Sequence, residues 1–139
     1  MITKEKWNEI EAELKTLFGR VEFKLNDLTI SIARRSVSEG KTELFVFIDN
    51  SIQYSWGHPS GDSFNPLVVT LWRKASAALY TTRQIKQIEK IFGKRQSLKE
   101  YPNLRSRFEF YLPTFKTAAS VVRQYKRIKG LMLESISDV

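Results

Sequence analysis

The sequence predicts a single α+β domain: an N-terminal helix, a four-stranded antiparallel meander, then basic helices with a short additional strand. Three observations predict it. Apolar residues recur at helical spacing over the first 18 positions, they alternate with polar ones through the next 40, and helical spacing returns behind capping residues in the second half. At 139 residues the chain has the commonest domain size of about 100–150, so one core is expected rather than two marginal ones.

The elements follow in order. Thr3 can cap a helix over 4–18 that carries Trp7, Ile10, Leu14, Leu17 and Phe18 on one face and Glu5, Glu9, Glu11, Glu13 and Lys15 on the other, with Gly19 at its C-terminal end. Val21, Phe23 and Leu25, an Asn26-Asp27 turn, and Leu28, Ile30 and Ile32 read as a tight hairpin. After a turn at Ser38-Glu39-Gly40-Lys41, the continuous apolar run Leu44 to Ile48 reads as a central strand covered on both faces. Ile52, Tyr54 and Trp56 alternate as a fourth strand before a Gly/Pro/Ser-rich loop at 57–63. Asn65-Pro66 has the form of a helix start, which predicts helix over 66–80.

Thr81 or Thr82 can cap a further helix with Ile85, Ile88, Ile91 and Phe92 on one face, ended by Gly93. A polar, basic connection at 94–106 leads to Phe108, Phe110 and Leu112, a short edge strand stopped by Pro113. Thr114 or Thr117 starts the final helix, with Ala118, Val121, Val122, Tyr125 and Ile128 inward and Gly130 at its end; residues 131–136 form a last strand.

Composition removes several classes of chemistry. The chain has no Cys and one His, so disulfides, thiolate zinc sites, thiol nucleophiles and multi-His metal sites within it are excluded, and no cofactor is expected. No apolar run approaches the roughly 20 residues that span a bilayer, and the charged stretch Met1 to Glu13 is unlike a signal peptide. A cytoplasmic protein is predicted. A membrane-surface role is not expected, because the basic last helix lacks bulky apolar anchors.

Charge is the most informative bulk property. Residues 1–69 hold 8 Lys/Arg against 10 Asp/Glu, whereas residues 70–139 hold 15 against 5, so a net of −2 is followed by a net of +10. An anionic partner is implied, either nucleic acid (DNA or RNA) or an acidic protein surface. The cations fall in rows. Arg83, Lys86 and Lys90 share a helix face and are continued by Lys94, Arg95 and Lys99; Lys116, Arg123 and Arg127 form a second stripe with Ser120 between them, flanked by Lys126 and Lys129. Such rows can follow backbone phosphates. Trp56, Trp72 and Tyr101 are the aromatic candidates for stacking on bases or anchoring a protein partner. No zinc-finger spacing, glycine-rich phosphate loop or RNA-recognition signature is present.

Catalytic constellations are sparse. The order α-β-β-β-α-β resembles the core of restriction-endonuclease-like nucleases, which implies an acid at the second strand and a Glu-x-Lys pair on the third. Asp27 and Glu43 are available, but Phe45 stands where the lysine belongs, and Glu22-Phe23-Lys24 lies on the first strand with no upstream Asp to match. His58 and Asp62 share the 57–63 loop and could form an acid/base pair. No Ser or Thr has the setting of an activated nucleophile. A non-enzymatic protein is expected.

The segments "ELFVFID…YSW", "LWRK", "FGKR" and "FYLPTF", followed by a basic helix, resemble small uncharacterised accessory proteins of tailed bacteriophages. That resemblance implies a phage or prophage origin and, with it, a bacterial host cytoplasm. The expected functions are nucleic-acid binding through the basic helices or, alternatively, a protein-interaction module that modulates a host complex.

Overall fold

The computed structural model describes residues 1–137. In chain order its elements are α1 (Lys4–Leu14), β1 (Arg20–Leu25), β2 (Leu28–Ser38), β3 (Lys41–Ile48), a 3₁₀ turn (Tyr54–Gly57), α2 (Val68–Leu71), β4 (Arg73–Ala78), α3 (Thr82–Phe92), α4 (Lys94–Glu100), β5 (Arg107–Leu112), β6 (Thr114–Phe115), α5 (Ala118–Tyr125) and β7 (Leu131–Ser137). The mixed α+β class agrees with the sequence. Two compact units are distinguished: residues 1–73 with the segment from 111 onward, and residues 74–110.

The larger unit is built on a five-stranded antiparallel sheet in the order β6-β3-β2-β1-β7. Its first hairpin is the one the alternation predicts, with Leu25 opposite Leu28 and Asn26 in the left-handed region at φ 56°. Val21, Phe23, Ile30, Ile32, Leu44, Val46 and Ile48 point to one face and form the core with α1 and α5. Trp7, Ile10 and Leu14 of α1 are buried there at helical spacing, each contributing about 1.5–3 kcal/mol of apolar burial. Ala118, Val121, Val122 and Tyr125 of α5 do the same.

Four expectations are corrected. First, α1 stops at Leu14 rather than 18, and Leu17 and Phe18 are 62% and 71% exposed. Arg34 of β2 ends the helix, its Nε and Nη2 donating to the Leu14 carbonyl at 2.9 and 2.7 Å, a cation placed at the negative end of the helix dipole. Second, β2 is the central strand and β3 lies next to the edge, its outer side met by the two residues of β6, by the Pro113 carbonyl, which accepts from Val46 N–H at 2.8 Å, and by a bridge from Ile48 to Ser51. Phe45 and Phe47 are half-buried on the face away from the helices.

Third, Ile52, Tyr54 and Trp56 do not form a strand. The chain turns at Asp49 and Asn50, with φ of 50° and 65°, and continues into the 3₁₀ turn, where the Trp56 ring packs 6.0 Å from that of Trp72. A side chain at Gly57 would place its Cβ 1.9 Å from the Tyr111 carbonyl oxygen, so only glycine permits this approach. Fourth, residues 66–80 are helical only over Val68–Leu71 and then extended as β4. The meander therefore has three strands, and β6 and β7 complete the sheet from the far end of the sequence. The final strand predicted at 131–136 is β7, antiparallel to β1, with one extra residue at Glu134 against Glu22/Phe23.

The smaller unit consists of the β4–β5 ribbon and the helices α3 and α4. Within the ribbon Lys74 pairs with Glu109 at 2.6 Å, and Arg107 donates to Ser76, contacts that fall in antiparallel order. A capping box starts α3: Gln84 N–H donates to Thr81 Oγ1 at 3.1 Å and Thr81 N–H to Gln84 Oε1 at 2.8 Å. Gly93, at φ 80°, ends α3 and joins it directly to α4. The polar, basic connection expected at 94–106 thus contains a two-turn helix. Ser97 fixes the junction; it is fully buried, and its hydroxyl lies 2.6 Å from the Gly93 carbonyl and 3.3 Å from that of Ile88.

Candidate nucleic-acid interface

The smaller unit holds nine Lys/Arg against three Asp/Glu, so +6 of the chain's +8 resides in 37 residues. Its acids are already engaged. Glu89 pairs with Arg105 at 2.9 Å, Glu109 with Lys74, and Glu100 accepts from Gln96 at 2.9 Å. Among the described residues no carboxylate pairs with Arg83, Lys86, Lys90, Lys94 or Arg95, all of which are exposed.

Helix α3 brings three of these together. Arg83, Lys86 and Lys90, with Thr82 and Gln87, line one shallow groove of about 520 Å³ along its outer face. At 1.5 Å rise per residue, the three cations are staggered by about 4.5 and 6 Å along the axis. Mutual repulsion of unpaired like charges on one face is relieved by a polyanion laid across them, and the counterions it releases add to the affinity. Lys94 and Arg95 open α4 just after the Gly93 junction.

The remaining predicted cations lie in the larger unit and divide into two groups. Lys116 and Arg123 are exposed at the start and on the outer side of α5, where Thr117 and Ser120 share a hydroxyl contact of 2.7 Å. Lys126 and Arg127, with Lys129, belong to the α5–β7 connection and line a different groove beside Trp7. The stripe drawn from Lys116 through Arg127 is therefore interrupted, because α5 ends at Tyr125 before completing it.

Of the three aromatic candidates, Trp72 must be withdrawn. It is fully buried against Trp56, and its Nε1 has no hydrogen-bond partner among the described residues. Full burial makes it a core residue. Trp56 is half-buried on the other side of that contact. Tyr101 is half-buried between Tyr80, at 6.0 Å, and Phe92, at 6.1 Å.

The acids considered for catalysis do not converge. Asp27 sits in the β1–β2 turn beside Leu28, whereas Glu43 lies opposite Arg35, seven residues or about 23 Å along β2. Glu22 accepts from Arg20 at 3.0 Å, and Lys24 donates to Thr29 at 2.7 Å. His58 and Asp62 are exposed on the loop closed by Gly61 N–H to the His58 carbonyl at 2.9 Å.

Sequence reasoning missed Arg34 as the cap of α1 and the groove beside Trp7. The continuous apolar run Leu44 to Ile48 did signal a strand covered on both faces, and Phe45 and Phe47 are half-buried on its second face. No helix of the described residues is long and apolar enough to cross a membrane. No family model, curated protein or solved structure matches the chain.

Proposed function

We propose that the chain is a small, non-enzymatic nucleic-acid-binding protein that contacts the phosphate backbone through Arg83, Lys86, Lys90, Lys94 and Arg95 of the smaller unit. The observation that carries this reading is the grouping of Arg83, Lys86 and Lys90 on one groove of α3 with no carboxylate partner among the described residues. Backbone contacts of this kind give affinity without sequence readout, and the groove presents no glutamine or asparagine fork other than Gln87 to read base edges. On this reading the protein is an accessory factor, and the resemblance of its segments to phage accessory proteins favours work in a bacterial host cytoplasm.

The test is fluorescence anisotropy of labelled single-stranded and duplex oligonucleotides at about 50 and 200 mM salt, with wild type and the pair Arg83→Glu with Lys86→Glu. Binding that weakens steeply with salt and is lost in the variant, at an unchanged melting temperature, supports the proposal. Equal binding by the folded variant removes α3 from the site.

A second reading, a protein-interaction module, draws on a different observation in the same unit. Ile91, Phe92, Leu98 and Phe108 are 74%, 41%, 52% and 43% exposed, an apolar allotment that phosphate binding does not use.

A further inference from the structure

The larger unit carries a second groove whose chemistry differs from that of α3. It lies between the start of α1 and the α5–β7 connection and has a volume of about 800 Å³, within the usual range of roughly 300–1,000 Å³ for small-molecule sites. Its floor is apolar: Trp7 and Leu131 are nearly buried, Ile128 is half-buried, and Met132 stands at the mouth with 65% exposure. Its rim is cationic, formed by Lys4 from α1 and by Lys126, Arg127 and Lys129 from the connection.

Among the described residues no Asp or Glu lines this groove, and none of its four Lys and Arg side chains has an ion-pair partner. Four like charges drawn from two separate segments repel one another, and an anion set between them removes that repulsion. An apolar floor gives nothing to a bare phosphate, and a cationic rim gives nothing to a neutral hydrocarbon. Only a ligand with both parts uses both surfaces.

We propose that this groove binds a monomeric long-chain amphiphile with an anionic head, the acyl chain lying on Trp7, Ile128, Leu131 and Met132 and the head held by Lys4, Lys126, Arg127 and Lys129. A membrane surface fits less well, because insertion into lipid calls for protruding apolar side chains whereas Trp7 and Leu131 are recessed at the base of a concavity. The site is independent of the α3 groove, so neither proposal rests on the other.

The probe is dodecyl phosphate below its micellar concentration, titrated into the full chain and followed by amide and indole NMR shifts. The expected result is one saturable site with shifts confined to Trp7 and residues 126–132. Each methylene removed from the buried part of the chain should weaken binding by up to about fourfold. Inorganic phosphate and dodecyltrimethylammonium should leave those shifts unmoved. Lys126→Glu with Lys129→Glu, both exposed, should retain the wild-type melting temperature and weaken binding by about tenfold or more, the worth of one charge-assisted hydrogen bond. Equal binding of the cationic amphiphile, shifts located elsewhere, undiminished binding by the charge-reversed variant, or binding only to phosphatidylglycerol vesicles would each overturn the proposal.

Discussion

Tyr125 offers the sharpest test of how the larger unit holds together. Its ring is fully buried between Phe23, at 5.6 Å, and Phe115, at 6.3 Å, and its hydroxyl donates to the Leu71 carbonyl at 2.6 Å, tying α5 to α2. Tyr125→Phe keeps the ring and removes only the oxygen, leaving the Leu71 carbonyl without this donor. The expected loss is about 1–3 kcal/mol at neutral pH. Burial also pushes the Tyr125 hydroxyl well above its ordinary value of 10.0. In the unfolded chain tyrosine titrates near that ordinary value, so below pH about 10 both states keep the proton and this residue adds no pH dependence. Above it the unfolded chain releases a proton that the native state retains, and the wild type loses stability with rising pH by about 1.4 kcal/mol per unit until the folded-state value is reached. The variant has no such group. Urea denaturation at pH about 7 and about 11 should therefore show a wild-type advantage that shrinks at the higher pH. A variant as stable as wild type at neutral pH, or a gap that stays constant between the two, would refute the account of this contact.

Three further outcomes follow from the same contacts. If the five unpaired cations of the smaller unit each meet one phosphate, the affinity for duplex DNA should fall with salt at a log–log slope of about −4.5; Arg83→Ala, Lys86→Ala and Lys90→Ala together should reduce this to about −1.8. Over a fourfold rise in salt, anisotropy titrations would then read about a 500-fold loss for wild type against about 12-fold for the triple variant. Arg34→Ala removes both donors to the Leu14 carbonyl and should cost about 1–3 kcal/mol in chemical denaturation, with faster amide exchange in the last turn of α1. Gly57→Ala should destabilise by several kcal/mol, on the order of an overpacked core site or more, because its Cβ would meet the Tyr111 carbonyl oxygen at 1.9 Å; a melting temperature within a degree or so of wild type would contradict that close approach.

What the sequence made legible was local. Thr3, Thr81 and Thr117 each accept a hydrogen bond from a first-turn amide, so three helix starts could be read from capping chemistry alone. The hairpin at Asn26 was fixed by alternation and turn residue together, and β7 by its apolar run after Gly130. The misreadings were settled by partners distant in the chain. Asn65-Pro66 does start a helical turn, but Arg73–Ala78 pairs with β5 instead of extending it, with small residues Ala75, Ser76, Ala77 and Ala78 that carry no strong strand signal of their own. Ile52 and Trp56 are both packed against the core, which two-residue alternation mimics and a 3₁₀ turn satisfies equally.

The site was legible only in outline. The basic bias of the second half was plain, but its concentration in residues 74–110 depends on where the chain leaves and re-enters the larger unit. The partition of Lys116 through Lys129 depends on α5 ending at Tyr125, and the link between Lys4 and Lys126 has no sequence signal because 121 residues separate them. Trp72 illustrates the general limit: an aromatic flanked by Arg73 and Lys74 reads equally well as an exposed stacking residue or as the end of a buried run, and burial decides it.

The central claim, that the smaller unit carries the affinity for nucleic acid, is tested most directly by titrating isotopically labelled protein with a short single-stranded oligonucleotide and mapping the amide shifts. Changes centred on residues 82–95 are expected, strongest at Arg83, Lys86 and Lys90 and reversed by added salt. Saturable binding with shifts confined to the larger unit, or no shifts at low salt, would contradict it.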